Sequence, residues 1–149
     1  MSKPIVQNKK AHFNYEMIDK YSAGVELSGG EVKSLKGGHG SLDGAYVIIR
    51  GGEAYLENCT IPPYQVNNTR ETYEPMRERK LLLTKKEIRE LGVLENGKGL
   101  TIVALAFYNN KKRVKLEIAT ARGKREFDKR ETIKKREVDK ESRRTLKYE

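Results

Sequence analysis

The sequence predicts a mainly β protein: a small closed barrel of about six strands with two short helices. Three observations point there. Short segments alternate apolar and polar side chains with a period of two. A Gly-Gly pair separates two of these segments where a tight hairpin turn belongs. Two Ser/Thr-x-x-Glu signatures each open a brief apolar run, the mark of a capped helix of one or two turns.

Residues 1–10 are polar and aperiodic and are expected to form a flexible arm. Phe13, Tyr15 and Met17 then alternate with Asn14, Glu16 and Ile18 as in a strand. Ala23, Val25 and Leu27 resume the alternation after a turn expected near Asp19-Lys20. Ser28 is placed to cap the first helix, with Glu31 reaching back to it and Leu27 and Val32 as a hydrophobic staple. Val32 and Leu35 form its buried face, and Gly37-Gly38 ends it. The glycine-rich "GGHGSLDG" (37–44) lacks the Lys-Ser/Thr ending of a phosphate cradle and reads as a helix-to-strand turn.

"YVIIRGGEAYLEN" (46–58) reads as a β-hairpin turning at Gly51-Gly52. The polar segment 62–79 is too long for a plain connection, so it is expected to be functional or disordered. In the second helix Thr84 caps, Glu87 answers, Leu83 and Ile88 staple, Ile88 and Leu91 bury, and Gly92 stops. "LTIVALAF" (100–107) is apolar on both faces and reads as a central strand. "RVKLEIATAR" (113–122) turns Val114, Leu116 and Ile118 inward, after the turn "YNNKKR". This order of elements fits an OB-like barrel over residues 11–123.

Residues 124–149 show no strand pattern. Asp128 and Glu131 repeat the helix-start signature, but Thr132 stands where the staple partner of Phe127 should be. Within 125–140 only Ile133 and Val138 follow as apolar residues that a helix there could bury. Such a helix is marginal in water even with a Glu131–Lys135 pair. The tail is expected to be disordered when free and helical against an anionic partner.

Lys and Arg number 31 against 21 Asp and Glu, a net charge of +10, and the pI is about 9.6. That balance favours a polyanionic partner, nucleic acid above all. No apolar run approaches a membrane span, and no signal peptide is evident, so the cytoplasm is the expected location. A single cysteine, Cys59, excludes an internal disulfide. His12 and His39 lie far apart, without ligand spacing, so neither metal nor other cofactor is expected. No P-loop, GxGxxG or GxSxG occurs, and no pair of carboxylates stands out as acid and base; an enzyme is not expected.

The basic residues fall in groups. Arg113, Lys115, Arg122, Lys124 and Arg125 lie on or just after one strand; Lys33 and Lys36 lie on the first helix, and Lys9 and Lys10 near the start. Tyr15, Tyr64, Tyr73 and Tyr108 are interspersed, and aromatics beside cations suit stacking on unpaired bases. Singly, each tyrosine is as well read as a barrel or rim residue, each lysine as a solvated face, and Glu31 as a capping residue alone. A general single-strand RNA-binding barrel and a nuclease are the competing readings.

In order along the chain stand "NKKAHFNY" (8–15), "GGEVKSLK" (29–36), "EPMRERKLLLTKKEI" (74–88), "GLTIVALAFYNNKKRVKLEIATARGK" (99–124) and "DKRETIKKRE" (128–137). Together they resemble the SmpB family of bacterial SsrA-binding proteins over nearly the whole chain. The resemblance implies an OB-like barrel that binds the tRNA-like domain of transfer-messenger RNA (tmRNA) and brings it to stalled ribosomes in trans-translation. It also implies a monomer, no catalysis, no membrane and no small-molecule substrate. Asn8, Leu82 and Arg113 match positions the family uses for RNA, and Tyr15, Glu31 and Lys33 match its pattern. With them, Lys9, Lys10, Ser22, Gly24, Lys36, Arg79, Lys80, Lys115 and Lys124 complete the expected RNA-binding set. Phe127, Asp128, Lys129, Arg130, Ile133, Lys134, Lys135 and Arg136 match the tail segment that works in the ribosome, against ribosomal RNA of the decoding region. Two residues depart from the family pattern. Ser22 stands where Glu is common, which removes a polar contact, and Phe127 stands where His or Tyr is common, which keeps stacking but not hydrogen bonding.

Overall fold

A computed structural model describes residues 4–65, 72–95, 100–111 and 113–123. In chain order the elements are β1 (Pro4–Gln7), α1 (Lys9–Asn14), β2 (Tyr15–Val25), α2 (Gly29–Lys36), β3 (Tyr46–Arg50), β4 (Glu53–Glu57), β5 (Arg79–Leu82), α3 (Lys85–Glu95), β6 (Leu100–Asn110) and β7 (Arg113–Gly123). All pairings are antiparallel. They close on themselves in the order β6-β3-β4-β5-β2-β7 and back to β6, with β1 added on the free edge of β6. This is the mainly β, OB-like arrangement the sequence predicts.

The local signals act as read. Ser28 Oγ accepts the Glu31 N–H at 3.2 Å, and the Glu31 carboxylate accepts the Ser28 N–H at 2.9 Å, a complete capping box. Thr84 and Glu87 exchange the same pair of bonds at the start of α3. Gly51 and Gly52 have φ of 59° and 76°, the two positive values a tight primed turn requires, and Arg50 faces Glu53 across it.

Four expectations are corrected. Residues 4–7 are not part of a flexible arm: they form β1, and Val6 is buried. Residues 9–14, read as loop and strand, form α1, so there are seven strands and three helices. The reason lies in long-range contacts. Asn8 caps α1 by accepting the Ala11 N–H at 3.2 Å, its amide donates to the Ala104 carbonyl at 2.9 Å, and its own N–H donates to the Leu105 carbonyl at 2.7 Å. Ala11 then seats against Val103, Leu105, Ala119 and Ala121 in a small second core on the outer face of β6 and β7. The turn expected at Asp19-Lys20 is replaced by a register shift between Met17 and Asp19 inside a continuous β2, where the Asp19 N–H donates to Thr120 Oγ1 at 3.1 Å. Gly92 does not end α3, which continues to Glu95, because Leu91 is fully buried and fixes that turn. A glycine inside a helix costs only about 1 kcal/mol relative to alanine.

The second core also explains why β6 is apolar on both faces. Ile102, Ala104 and Phe107 point into the main core with Leu116 and Ile118, while Val103 and Leu105 point out beneath α1. The register shift between Ala104 and Ala106 lets the strand change phase between the two. No helix among the described residues is long and apolar enough to cross a membrane.

Candidate nucleic-acid interface

The pairing register brings residues from four separate segments into one row. Leu82 on β5 faces Gly24 on β2, Gly24 faces Lys115 on β7, and Lys115 faces Tyr108 on β6. At about 4.8 Å between neighbouring strands, the row spans roughly 14 Å. Alternation on each strand turns these residues outward, because Leu81, Ala23, Leu116 and Phe107 beside them are buried. Gly24 leaves a bare stretch of backbone between an aliphatic side chain and a cation. A Cβ placed on Gly24 would lie 3.2 Å from Leu82 Cβ, so the gap belongs to the glycine. Leu82 is 51% exposed although apolar.

Arg113 stands on the same face of β7, exposed, and with Lys115, Gly24 and Leu82 it lines a concavity of about 560 Å³ floored by Val25, Leu27, Val32 and Val114. Ser22 lies two pairs down the ladder, on the same face, opposite Glu117. Lys9 borders the other end, lining a neighbouring cleft with Tyr108 and Glu117. The arrangement offers an apolar floor, an aromatic end and cations at the rim. That suits the flat faces and phosphates of an unpaired nucleotide segment.

Other candidates lie elsewhere. On α2, Lys33 Nζ sits 5.8 Å from the centre of the Tyr64 ring, and Lys36 is exposed on the same helix. Tyr15 and Lys10 line a cleft of about 460 Å³ with Asn14 and Tyr46, and Lys10 is held 3.9 Å from Asp43. Tyr46, 41% exposed, was missed as an aromatic site residue because its place at the start of a strand reads as structural. Lys80 is engaged at 3.4 Å with Glu53.

Three residues of the expected RNA-binding set are buried. Asn8 is committed to capping α1. Glu31 and Arg79 are 1% and 0% exposed. Arg79 Nε donates to Glu31 Oε2 at 2.8 Å, and the rest of the guanidinium donates to the Cys59, Arg77 and Pro75 carbonyls at 2.8 to 2.9 Å. Arg77 donates to both oxygens of the same carboxylate, and the Tyr73 hydroxyl donates to the Ile61 carbonyl at 2.7 Å. Tyr73, counted among the stacking candidates, therefore belongs to this network and not to an open platform. Burial by itself would raise the Glu31 pKa, but hydrogen bonds from Arg77, the Ser28 N–H and Arg79 outweigh it and hold the carboxyl at about 2. The network ties the start of α2 to the segment entering β5, and so fixes Lys33 and Leu82 relative to each other.

Among the described residues no group of three or more His, Cys, Asp or Glu side chains is placed to hold a metal ion. Cys59 is buried, and burial pushes its thiol up to about 11, which leaves it unreactive. Lys124 and the expected tail residues Phe127, Asp128, Lys129, Arg130, Ile133, Lys134, Lys135 and Arg136 lie outside the described residues.

Comparison with known proteins bears on the whole chain. A family model described as SmpB protein matches residues 5–148. The SsrA-binding protein of Mycoplasmoides gallisepticum is 48% identical over 139 residues, covering 93% of this chain and 96% of that one. The SsrA-binding protein of Bifidobacterium adolescentis is 46% identical over 148 residues, covering 99% of this chain and 92% of that one. A solved chain described as "tmRNA-SmpB: a journey to the center of the bacterial ribosome" superposes with a TM-score of 0.70 at 39% identity, covering 88% of this chain and 95% of that one.

Proposed function

Because the chain belongs to the SmpB family, we propose that it is an RNA-binding adaptor of trans-translation. It binds the tRNA-like domain of tmRNA and delivers it to stalled ribosomes, where the nascent peptide is tagged and the ribosome is released. It works in the cytoplasm, as a monomer, and catalyses no reaction itself. The observation that carries the reading is the row Leu82–Gly24–Lys115–Tyr108 with Arg113 beside it. It is an outward, partly apolar and cationic face. Among the described residues neither Arg113 nor Lys115 is engaged by a carboxylate, so both cations are free for phosphate.

The remaining exposed candidates extend that face. Lys9 continues it past Tyr108, and Lys33, Lys36 and Tyr64 present a second basic and aromatic surface on α2. Glu31 and Arg79 serve RNA binding by fixing the position of α2 and β5. Residues 124–149 act separately, as the segment engaged by the ribosome.

Three measurements test this. Ending the chain after Lys124 should leave affinity for the tRNA-like domain near normal and abolish peptide tagging; equal loss of both would refute the division of labour. Arg113→Glu should weaken binding and flatten the dependence of log affinity on log salt by about one unit per phosphate contact removed. An unchanged slope would take Arg113 out of the interface. Preference for tRNA-like over unstructured RNA of equal length separates the adaptor from a general single-strand binder.

A further inference from the structure

A second surface, between α3 and β2, takes no part in the reading above. It is lined by Asp19, Tyr21, Arg89, Glu90, Val93 and Leu94. Val93 is 74% exposed, an apolar side chain with almost nothing over it. The rim is mostly anionic. The Tyr21 hydroxyl donates to Glu90 Oε2 at 3.4 Å, and burial together with the Glu90, Asp19 and Glu87 carboxylates pushes its phenol up. Of the lining side chains Asp19 and Glu90 are carboxylates, and Arg89 is the one cation. The last turn of α3 carries no basic side chain, so the negative end of the helix dipole adds to the same field. An apolar floor with an anionic rim calls for a basic segment bearing spaced apolar residues.

The chain itself supplies such a segment beside the groove. We infer that residues 124–149 dock back into this groove in the RNA-free protein, placing Ile133 and Val138 over Val93 and Leu94 and their flanking cations against Asp19 and Glu90. The geometry permits it. β7 ends at Gly123, opposite Tyr15, and Asp19 and Tyr21 face Thr120 and Ile118 on the same ladder. The groove therefore begins three to five residues back from the root of the segment, roughly 10–17 Å along the strand. The segment has eleven Lys and Arg against seven Asp and Glu, and its apolar side chains are spread out as Phe127, Ile133, Val138 and Leu146. That is the complement of the groove in sign and in spacing. No folded helix is required, because two apolar side chains and a few screened ion pairs make a weak, salt-sensitive contact. An anionic RNA partner then competes with the groove for the same cations, so the segment is held until that partner arrives.

The test is paramagnetic relaxation in the full chain, with a nitroxide on Ser142→Cys. Cys59 does not compete for the label, since it is buried and its thiol stands near 11. Docking predicts loss of the Tyr21, Glu90, Val93 and Leu94 amide signals in the ¹⁵N spectrum, with recovery on reducing the nitroxide. The same signals should persist in a labelled Val93→Lys chain, since a cation at that exposed site removes the apolar contact and repels the segment without touching the core. Four outcomes would overturn the inference. One is no loss. Another is loss spread evenly about Gly123, as from an unattached chain of nineteen residues with ends about 25 Å apart. A third is loss that survives Val93→Lys. The last is loss seen on ¹⁵N chains mixed with separate labelled chains, which would assign the groove to a second copy.

Discussion

Replacing Glu31 with alanine should damage the fold more than any surface change. Four groups lose a partner at once, of which the Tyr73 hydroxyl, 3.3 Å from the carboxylate, loses least because it keeps the Ile61 carbonyl. Arg79, fully buried, loses its counter-ion but keeps its backbone acceptors at Cys59, Arg77 and Pro75. Arg77 loses the carboxylate too, but its side chain is 37% exposed and water replaces most of that interaction. The Ser28 N–H loses its capping acceptor. An unpaired buried charge costs about 3–5 kcal/mol, and half of a capping box adds up to about 1 kcal/mol. Together they remove about 3–6 kcal/mol, against a total stability of about 5–15 kcal/mol for a domain. With a urea slope of about 2 kcal/mol per molar, the unfolding midpoint should fall by about 2 M at unchanged slope. The double variant Glu31→Leu/Arg79→Met should recover only part of this. It removes both charges but leaves the carbonyls of Cys59, Arg77 and Pro75 without the donor they share. A midpoint shift under about 0.5 M for Glu31→Ala would mean that water reaches the network, and would refute the reasoning from burial.

The same carboxylate fixes an acid limb. Its folded pKa of about 2 lies below the ordinary 4.5, so its contribution is complete above about pH 4.5 and is lost as pH falls toward 2; Glu31→Gln should flatten that part of a stability–pH curve. Asn8→Ala should cost about 1–2 kcal/mol, since it removes both the α1 cap and the donor to the Ala104 carbonyl, and thermal melting would show it. Tyr73→Phe should cost about 1 kcal/mol, by loss of the 2.7 Å bond to the Ile61 carbonyl, and a lowered melting temperature would show it. Gly24→Val should lower affinity for the tRNA-like domain about tenfold, or ~1.4 kcal/mol, by filling the gap beside Leu82. Its effect on stability should stay near 1 kcal/mol.

What could be read from the sequence was what is decided within a few residues. The two capping boxes, the Gly51-Gly52 turn and the inward alternation of Val114, Leu116 and Ile118 each depend on near neighbours, and each stands in the structure. The N-terminal segment was misread for the opposite reason. Nothing local distinguishes Ala11 from any small residue in a polar stretch. Its place in a helix is set by Val103, Leu105, Ala119 and Ala121, all more than ninety positions away. The alternation of Phe13 to Ile18 was real, but tertiary burial overrode its first two residues.

The site divides along the same line, and the division changes what its residues are for. Glu31 and Arg79 stand in the expected RNA-binding set through the family resemblance, with capping as the local role of Glu31. The structure pairs them with each other across 48 positions, inside the protein. The sequence has no local signal for that pairing, because a capping glutamate needs only one of its oxygens for the cap. The other oxygen can collect Arg77 and Arg79 only when the chain has come round through β4 and back. Leu82 shows the converse. It lies in an apolar run that reads as core, yet strand alternation turns it out, next to a glycine that gives it no cover. A buried charge and an exposed leucine on the same short strand, Arg79 and Leu82, thus exchange the roles their chemistry suggests. The charge sets where the strand lies, and the leucine is left outward on the face proposed to meet the partner. A variant series that scores stability and RNA affinity separately should therefore find Arg79 on the first axis and Leu82 on the second.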